Sequence, residues 1–142
     1  MSLVNKSVIL RKVSLIRHNL SRLKGKENVS LETLKNDLDI QDIVLHNLQL
    51  AIQGCIDIGS HVISDEGWGV AGSLNEIFYI LQNKGVIKAE MVEKMISMVG
   101  FRNILVHEYE TINFDIVCNI LHHHLKDINE YLLTLVSYFK LD

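Results

Sequence analysis

The chain has 142 residues, 48% of them hydrophobic and 22% charged, with a formal net charge of −3. That length suits one domain over residues 1–142 with room for a genuine core, and that balance excludes both a disordered tail and a globally basic nucleic-acid binder. Proline is absent, which removes the strongest helix breaker and points to an all-α protein. No apolar run approaches the roughly 20 residues that span a bilayer, and the N-terminus lacks the apolar stretch of a secretory signal. A cytoplasmic protein with no membrane contact is the expectation. Cys55 and Cys118 sit in helical patterns without metal-like or redox spacing and read as reduced thiols.

The first helix is expected from about Val4 to Lys24, where Val8, Ile9, Val13, Ile16 and Leu20 form a 3.6-period stripe. Arg11, Lys12, Arg17, Arg22 and Lys24 lie mostly off that stripe, either as a solvated face or as contacts for RNA phosphate. Gly25 suits the position that ends such a helix. Ser30 caps a short helical turn over residues 31–36, and Asp39 reads as the next N-cap. A long helix to about Ile63 follows, carried by Ile40, Ile43, Val44, Leu48, Ala51, Ile52, Cys55, Ile58 and Val62. Gly54 and Gly59 inside it cost about 1 kcal/mol each relative to alanine. Their presence predicts close approach by a neighbour, either another helix or a second copy of the chain. Gln53, Asp57 and His61, spaced i, i+4, i+8, form one polar row on that helix.

A loop over residues 64–72 holds three glycines and the lone Trp68. Ser73-Leu-Asn-Glu76 has the form of a capping box ahead of Ile77, Phe78, Ile80 and Leu81, and Gly85 closes that helix. Another helix starts near Lys88 and runs into Arg102-Asn103-Ile-Leu-Val-His107-Glu-Tyr109. Thr111 or Asn113 caps a last helix with a stripe from Ile116 to Val136. The product is a four- to five-helix bundle of the up-and-down type.

Chemistry concentrates in residues 102–109. Arginine supplies a permanent charge on a planar fork suited to phosphate, and histidine can move protons both ways near neutrality. At about 100° per residue, Asn103 and His107 share a face, Arg102 and Tyr109 nearly eclipse, and Arg102 and His107 stand about 140° apart. One exposed helix face cannot hold both Arg102 and His107 against one group. The pattern calls for a groove, or for a partner chain that closes over the helix. A purely structural role, with Arg102 paired to a carboxylate and His107 satisfied near a helix end, is the alternative. His122-His123-His124 cannot chelate one ion, because consecutive helical side chains diverge by about 100°. His18 and His46 show no recognisable constellation.

Arg102-Asn103-x3-His107-x-Tyr109 resembles the R-x4-H-x-Y signature of the HepT-like toxins of the HEPN superfamily. Ile52-Gln53-x2-Ile56-Asp57-Ile58-Gly59-x-His61, and Glu76-Ile77-Phe78 followed by Gly85-Val86-Ile87, resemble other stretches of that family. The resemblance runs from about Asp39 to the C-terminus. It implies a homodimeric, metal-independent ribonuclease with Arg102, His107 and Asn103 as catalytic residues. It also implies an RNA substrate, tRNA among the candidates, and no cofactor of its own. The implied partner is a minimal nucleotidyltransferase antitoxin, which would use ATP to add AMP to Tyr109. Gln53, Asp57 and His61 become candidates for cleft or dimer support, with no metal ligand anywhere. The alternatives are a non-catalytic HEPN-like module that binds a nucleotidyltransferase or nucleotide, and a plain interaction bundle.

Overall fold

The computed structural model describes residues 2–142, and every regular element among them is helical. Seven α-helices follow one another: α1 (Lys6–Lys24), α2 (Leu31–Asn36), α3 (Leu38–Glu66), α4 (Leu74–Asn83), α5 (Ala89–His107), α6 (Phe114–His123) and α7 (Leu125–Tyr138). A 3-10 turn, Tyr109–Thr111, joins α5 to α6. The all-α bundle read from the sequence is observed, but with seven α-helices where four or five were expected. Helix α3 continues through Glu66 into what was expected to be loop because Gly67, not Ser64, ends it. The single final helix of that reading is two, because His124 (φ −121°, ψ 0°) leaves the helical region between α6 and α7.

The helix ends follow local side-chain chemistry. Asn5, Ser30, Ser73 and Asn113 each accept a hydrogen bond from a backbone N–H of the first turn behind them. Asp37, rather than the expected Asp39, caps α3 by accepting from the Ile40 N–H at 3.1 Å; Asp39 falls inside the first turn. In the Ser73 box, Ser73 Oγ accepts from the Glu76 N–H. Glu76 reaches back one residue further than the usual pattern and accepts from the Gly72 N–H at 2.6 Å. Gly67 (φ +70°) ends α3 and Gly85 (φ +78°) follows α4 in the left-handed region, where a Cβ is costly. Gly25 stays right-handed (φ −63°), so its place after α1 exploits no such freedom.

The central helix is α3. It packs against α1, α2, α4, α5 and α7, and its buried residues run from Val44 to Ile63. Ile9, Val13, Ile16, Leu20 and Leu23 of α1 cover one flank. Phe78 and Leu81 of α4, Met95 of α5, and Ile128, Tyr131 and Leu132 of α7 cover others. Each such side chain contributes roughly 1.5–3 kcal/mol relative to an exposed one.

Gly54 and Gly59 owe their place to these contacts. A Cβ on Gly54 would stand 2.5 Å from Ile16 Cγ1 of α1, and one on Gly59 would stand 2.6 Å from Ile77 Cγ2 and 3.2 Å from Tyr131 Oη. The close neighbours are helices of the same chain, so neither glycine marks a contact with a second copy. Among the described residues no helix is long and apolar enough to cross a membrane.

Candidate active site

The end of α5 is anchored from beneath by Phe101 and Leu105, which are buried one helical turn apart. That anchoring leaves Arg102, Asn103 and Ile104 half-buried and Val106 and His107 exposed. Arg102 Nη1 donates to Asn103 Oδ1 at 3.0 Å, while Arg102 Nε is buried with no hydrogen-bond partner among the described residues. A buried guanidinium N–H without an acceptor is costly, typically about 1–3 kcal/mol, unless something else supplies an oxygen. Arg102 makes no ion pair with any carboxylate among the described residues, so the structural alternative of a paired arginine is not what the fold builds. Asn103 holds the arginine fork rather than the imidazole of His107, although i, i+4 spacing permits the latter.

The helix stops at His107. Glu108 (φ −134°, ψ 42°) breaks the helical geometry, its N–H still bonded to the Ile104 carbonyl, and Tyr109 opens the 3-10 turn. Helical arithmetic that eclipses Tyr109 with Arg102 therefore does not apply. Tyr109 instead lines a cavity of about 680 Å³ between α1 and α3, shared with His18, Asn19, Arg22, Asp42, His46 and Asn47. His18 and His46 looked unrelated in sequence, yet the fold gathers them around the motif tyrosine. The i, i+4 spacing of His18 and Arg22 on α1 was the available signal, and only the packing of α1 on α3 gives it a destination.

The polar row of α3 divides. Gln53 Nε2 donates to Asp57 Oδ1 at 2.9 Å, and Gln53 Oε1 is buried without a partner. His61 turns the other way: its Nε2 stands 3.2 Å from Asp65 Oδ2, an ion-pair distance without hydrogen-bond alignment. Asp65 also accepts from the Asn5 N–H at 2.9 Å, and Glu66 accepts from Ser2 Oγ and the Leu3 N–H. His61 thus belongs to a clamp that ties the N-terminal segment to the end of α3. No hydrogen bond or ion pair among the described residues links Gln53, Asp57 or His61 to Arg102 or His107.

The three consecutive histidines scatter as helix geometry requires. His122 Nε2 lies 3.0 Å from the Val29 carbonyl, and His124 Nδ1 lies 2.9 Å from the buried Asp127 carboxylate. Among the described residues no group of three or more histidines, cysteines and carboxylates is placed to hold a metal ion. In the core, Tyr131 donates its O–H to the Cys55 carbonyl at 3.0 Å. Burial pushes both the Tyr131 phenol and the Cys55 thiol well above their ordinary acid ranges, so both stay neutral.

Helical scaffold and motif together define a class. The chain matches the ribonuclease HepT-like family over residues 16–135 and belongs to it. Among individual proteins, it is 31% identical to the mRNA nuclease HepT of Shewanella oneidensis, with 88% of this chain and 93% of that protein covered. It is 32% identical to the tRNA nuclease HepT of Aphanizomenon flos-aquae, covering 90% and 92%. A solved structure of a tri-AMPylated Shewanella oneidensis HEPN toxin in complex with an MNT antitoxin superposes with a TM-score of 0.83 at 30% identity, covering 92% of this chain and 97% of that one. The Bacillus subtilis cytosolic protein YutE shares the fold, with a TM-score of 0.84 at 17% identity.

Proposed function

We propose that this protein is the toxin of a toxin–antitoxin pair, an endoribonuclease that acts without a metal ion from a cleft between two copies of the chain. The observation that carries this reading is Arg102, a half-buried guanidinium whose Nη1 is fixed by Asn103 and whose Nε has no acceptor, five residues before an exposed His107. Such a fork is preorganised for a phosphate oxygen. The names of the relatives, an mRNA nuclease and a tRNA nuclease, support RNA as the source of that phosphate.

In the proposed reaction, His107 of one copy takes the proton of a ribose 2′-OH, and that oxygen bonds to the adjacent phosphorus. The bond from phosphorus to the 5′-oxygen breaks, and His107 of the second copy gives that oxygen a proton. The products are a 2′,3′-cyclic phosphate and a 5′-hydroxyl. Arg102 neutralises the charge that builds on the non-bridging oxygens. Two copies are needed because a single α5 turns Arg102 and His107 in different directions. Gln53 and Asp57, joined to each other on α3, serve as support for the assembled cleft; His61 serves the N-terminal clamp.

Tyr109 is the proposed point of control. It is exposed, at 53% of its full surface, two residues beyond His107. A nucleotidyltransferase partner, using ATP, would join the phenol oxygen to the α-phosphorus of ATP with release of pyrophosphate. The solved complex of an AMPylated toxin with an MNT antitoxin supports this partner class. The added phosphate would bring negative charge and bulk to the exposed end of α5, beside His107, where RNA phosphate must approach. The chain itself needs no cofactor for cleavage. The test is incubation of purified wild type, Arg102→Ala and His107→Ala with total RNA in chelator. Cleavage by the wild type and none by the variants is expected; full cleavage by His107→Ala would sink the proposal. Tight binding to a transferase with no cleavage of any RNA would favour a non-catalytic module.

A further inference from the structure

The cavity between α1 and α3 is not explained by the cleavage chemistry, yet it opens beside Tyr109. Its volume of about 680 Å³ is that of a small-ligand pocket. Two buried amides, Asn19 and Asn47, interrupt a lining that is otherwise partly apolar through Ile43, Leu45 and Leu50. Asn19 and Asn47 are buried, Asn19 Nδ2 donates to Asn47 Oδ1 at 3.2 Å, and Asn47 Nδ2 donates to the Ile43 carbonyl at 2.7 Å. These bonds leave Asn19 Oδ1 without a protein partner among the described residues, and that oxygen is open to the cavity rather than sealed in the core. Carboxamides carry a donor and an acceptor side by side, the arrangement that reads the edge of a nucleobase.

The walls complete the chemistry of a nucleotide. Arg22 is exposed and forms no ion pair among the described residues, although Asp42 lines the same cavity. Its guanidinium is free for a phosphate, with His18 one turn away on α1 as a second donor. Asp42 and His46 of α3 lie among the lining residues beside the asparagines, where a carboxylate can accept from ribose hydroxyls or an exocyclic amine. The Tyr109 ring offers an exposed face of the kind on which unpaired bases stack.

We infer that this cavity is a nucleotide subsite that holds one RNA nucleotide beside the scissile bond, with its base against Tyr109 and the two asparagines and its phosphate on Arg22. The assignment rests on the ribonuclease reading above and names where the substrate is gripped. It also explains why adenylation of Tyr109 would block binding: the adduct would lie at the mouth of the subsite.

The experiment uses full-length His107→Ala protein in chelator and a short fluorescein-labelled single-stranded RNA, with binding followed by anisotropy. Arg22→Ala and His46→Ala, each added separately, are expected to weaken binding by about tenfold. Arg22→Ala should also lower the slope of log Kd against log salt by about 0.7, the contribution of one phosphate contact on a single strand. In the otherwise wild-type protein the same changes should raise KM with kcat retained, which loss of fold would not do. 5′-AMP at millimolar concentration should compete with the RNA, and removal of Arg22 should weaken that competition. Unchanged RNA affinity in both variants would overturn the subsite. AMP binding that depends on Arg22 while RNA binding does not would assign the cavity to an adenylate and overturn the RNA assignment. Because binding is measured without turnover, failure of the cleavage mechanism and failure of the subsite are separately visible.

Discussion

The middle of α3 and the end of α5 are built to opposite rules. Around Cys55 and Gly59, space is filled to the limit of a missing methyl group, and the one buried phenol finds a carbonyl inside the chain. Around Arg102, a buried N–H has no partner, the helix ends on an exposed histidine, and a glycine at position 100 has nothing within 4 Å of where its Cβ would be. The first region satisfies itself; the second is left incomplete. Packing of the first lets the second hold unspent polar groups without collapsing around them, which is how a scaffold sustains a site whose stability it does not need.

The largest effect should come from the incomplete region and appear only in activity. His107→Ala or Arg102→Ala should lower RNA cleavage by about 10³-fold or more, and His107→Ala should change unfolding free energy by less than about 0.5 kcal/mol. Parallel cleavage assays and denaturant titrations check both halves, and an unfolded His107→Ala would erase the contrast.

The filled region should respond in stability instead. In Gly54→Ala the new Cβ meets Ile16 Cγ1 at 2.5 Å, on a branched and rotationally stiff side chain. Overpacking of about 2–3 kcal/mol outweighs the helix-propensity gain of about 1 kcal/mol, for a net loss of about 1–2 kcal/mol in urea unfolding. Equal stability to wild type would mean that α1 shifts freely on α3.

Tyr131→Phe should cost about 1 kcal/mol near neutrality through loss of the bond to the Cys55 carbonyl. Its pH dependence sharpens the point. Burial raises the folded-state pKa values of Cys55 and Tyr131 above their unfolded values. The stability they contribute is therefore complete below the unfolded values, about 8.5 for cysteine and 10 for tyrosine, and is lost as pH rises above them. The slope reaches about 1.4 kcal/mol per pH unit for each group. Tyr131→Phe removes one of the two, so urea midpoints measured from pH 8 to 11 should fall less steeply than in wild type. An unchanged alkaline slope would show that Tyr131 does not titrate with unfolding.

The smallest effect returns to the incomplete region. Gly100→Ala should stabilise the chain by about 0.5–1 kcal/mol, because no atom among the described residues lies within 4 Å of the new methyl group. If the variant is instead destabilised in a concentration-dependent way, a second copy packs against that turn of α5, and the open space belongs to the assembly.

Much of the scaffold was legible because its causes are local. The capping Ser73 and Ser30, the stripe of α1 and the glycine after α4 act through neighbours within a turn or two. Local patterns misled where two answers were locally equal. Asp37 and Asp39 both satisfy cap chemistry; Asp37, which directly follows the end of α2 at Asn36, is the one whose carboxylate accepts from the Ile40 N–H. The i, i+4 row of Gln53, Asp57 and His61 looked like one unit, but Asp65, four residues further on, drew His61 into the N-terminal clamp. At the site, Arg102, Asn103, His107 and Tyr109 stood out by residue type and spacing. Glu108, which ends the helix and turns Tyr109 away from Arg102, carried no comparable signal.

The sequence by itself determined that this protein is all-helical, roughly where most of its helices lie, and which eight-residue stretch carries the chemistry, since periodicity, capping and the R-x4-H-x-Y spacing are properties of neighbouring residues. Tertiary structure alone decided that Gly54 and Gly59 serve contacts within the chain, that Arg102 keeps an unpartnered N–H, and that Tyr109 meets His18, Arg22 and His46. Those outcomes depend on which helices pack together across long stretches of chain, and side chains distant in sequence share a cavity only once that packing has fixed their positions.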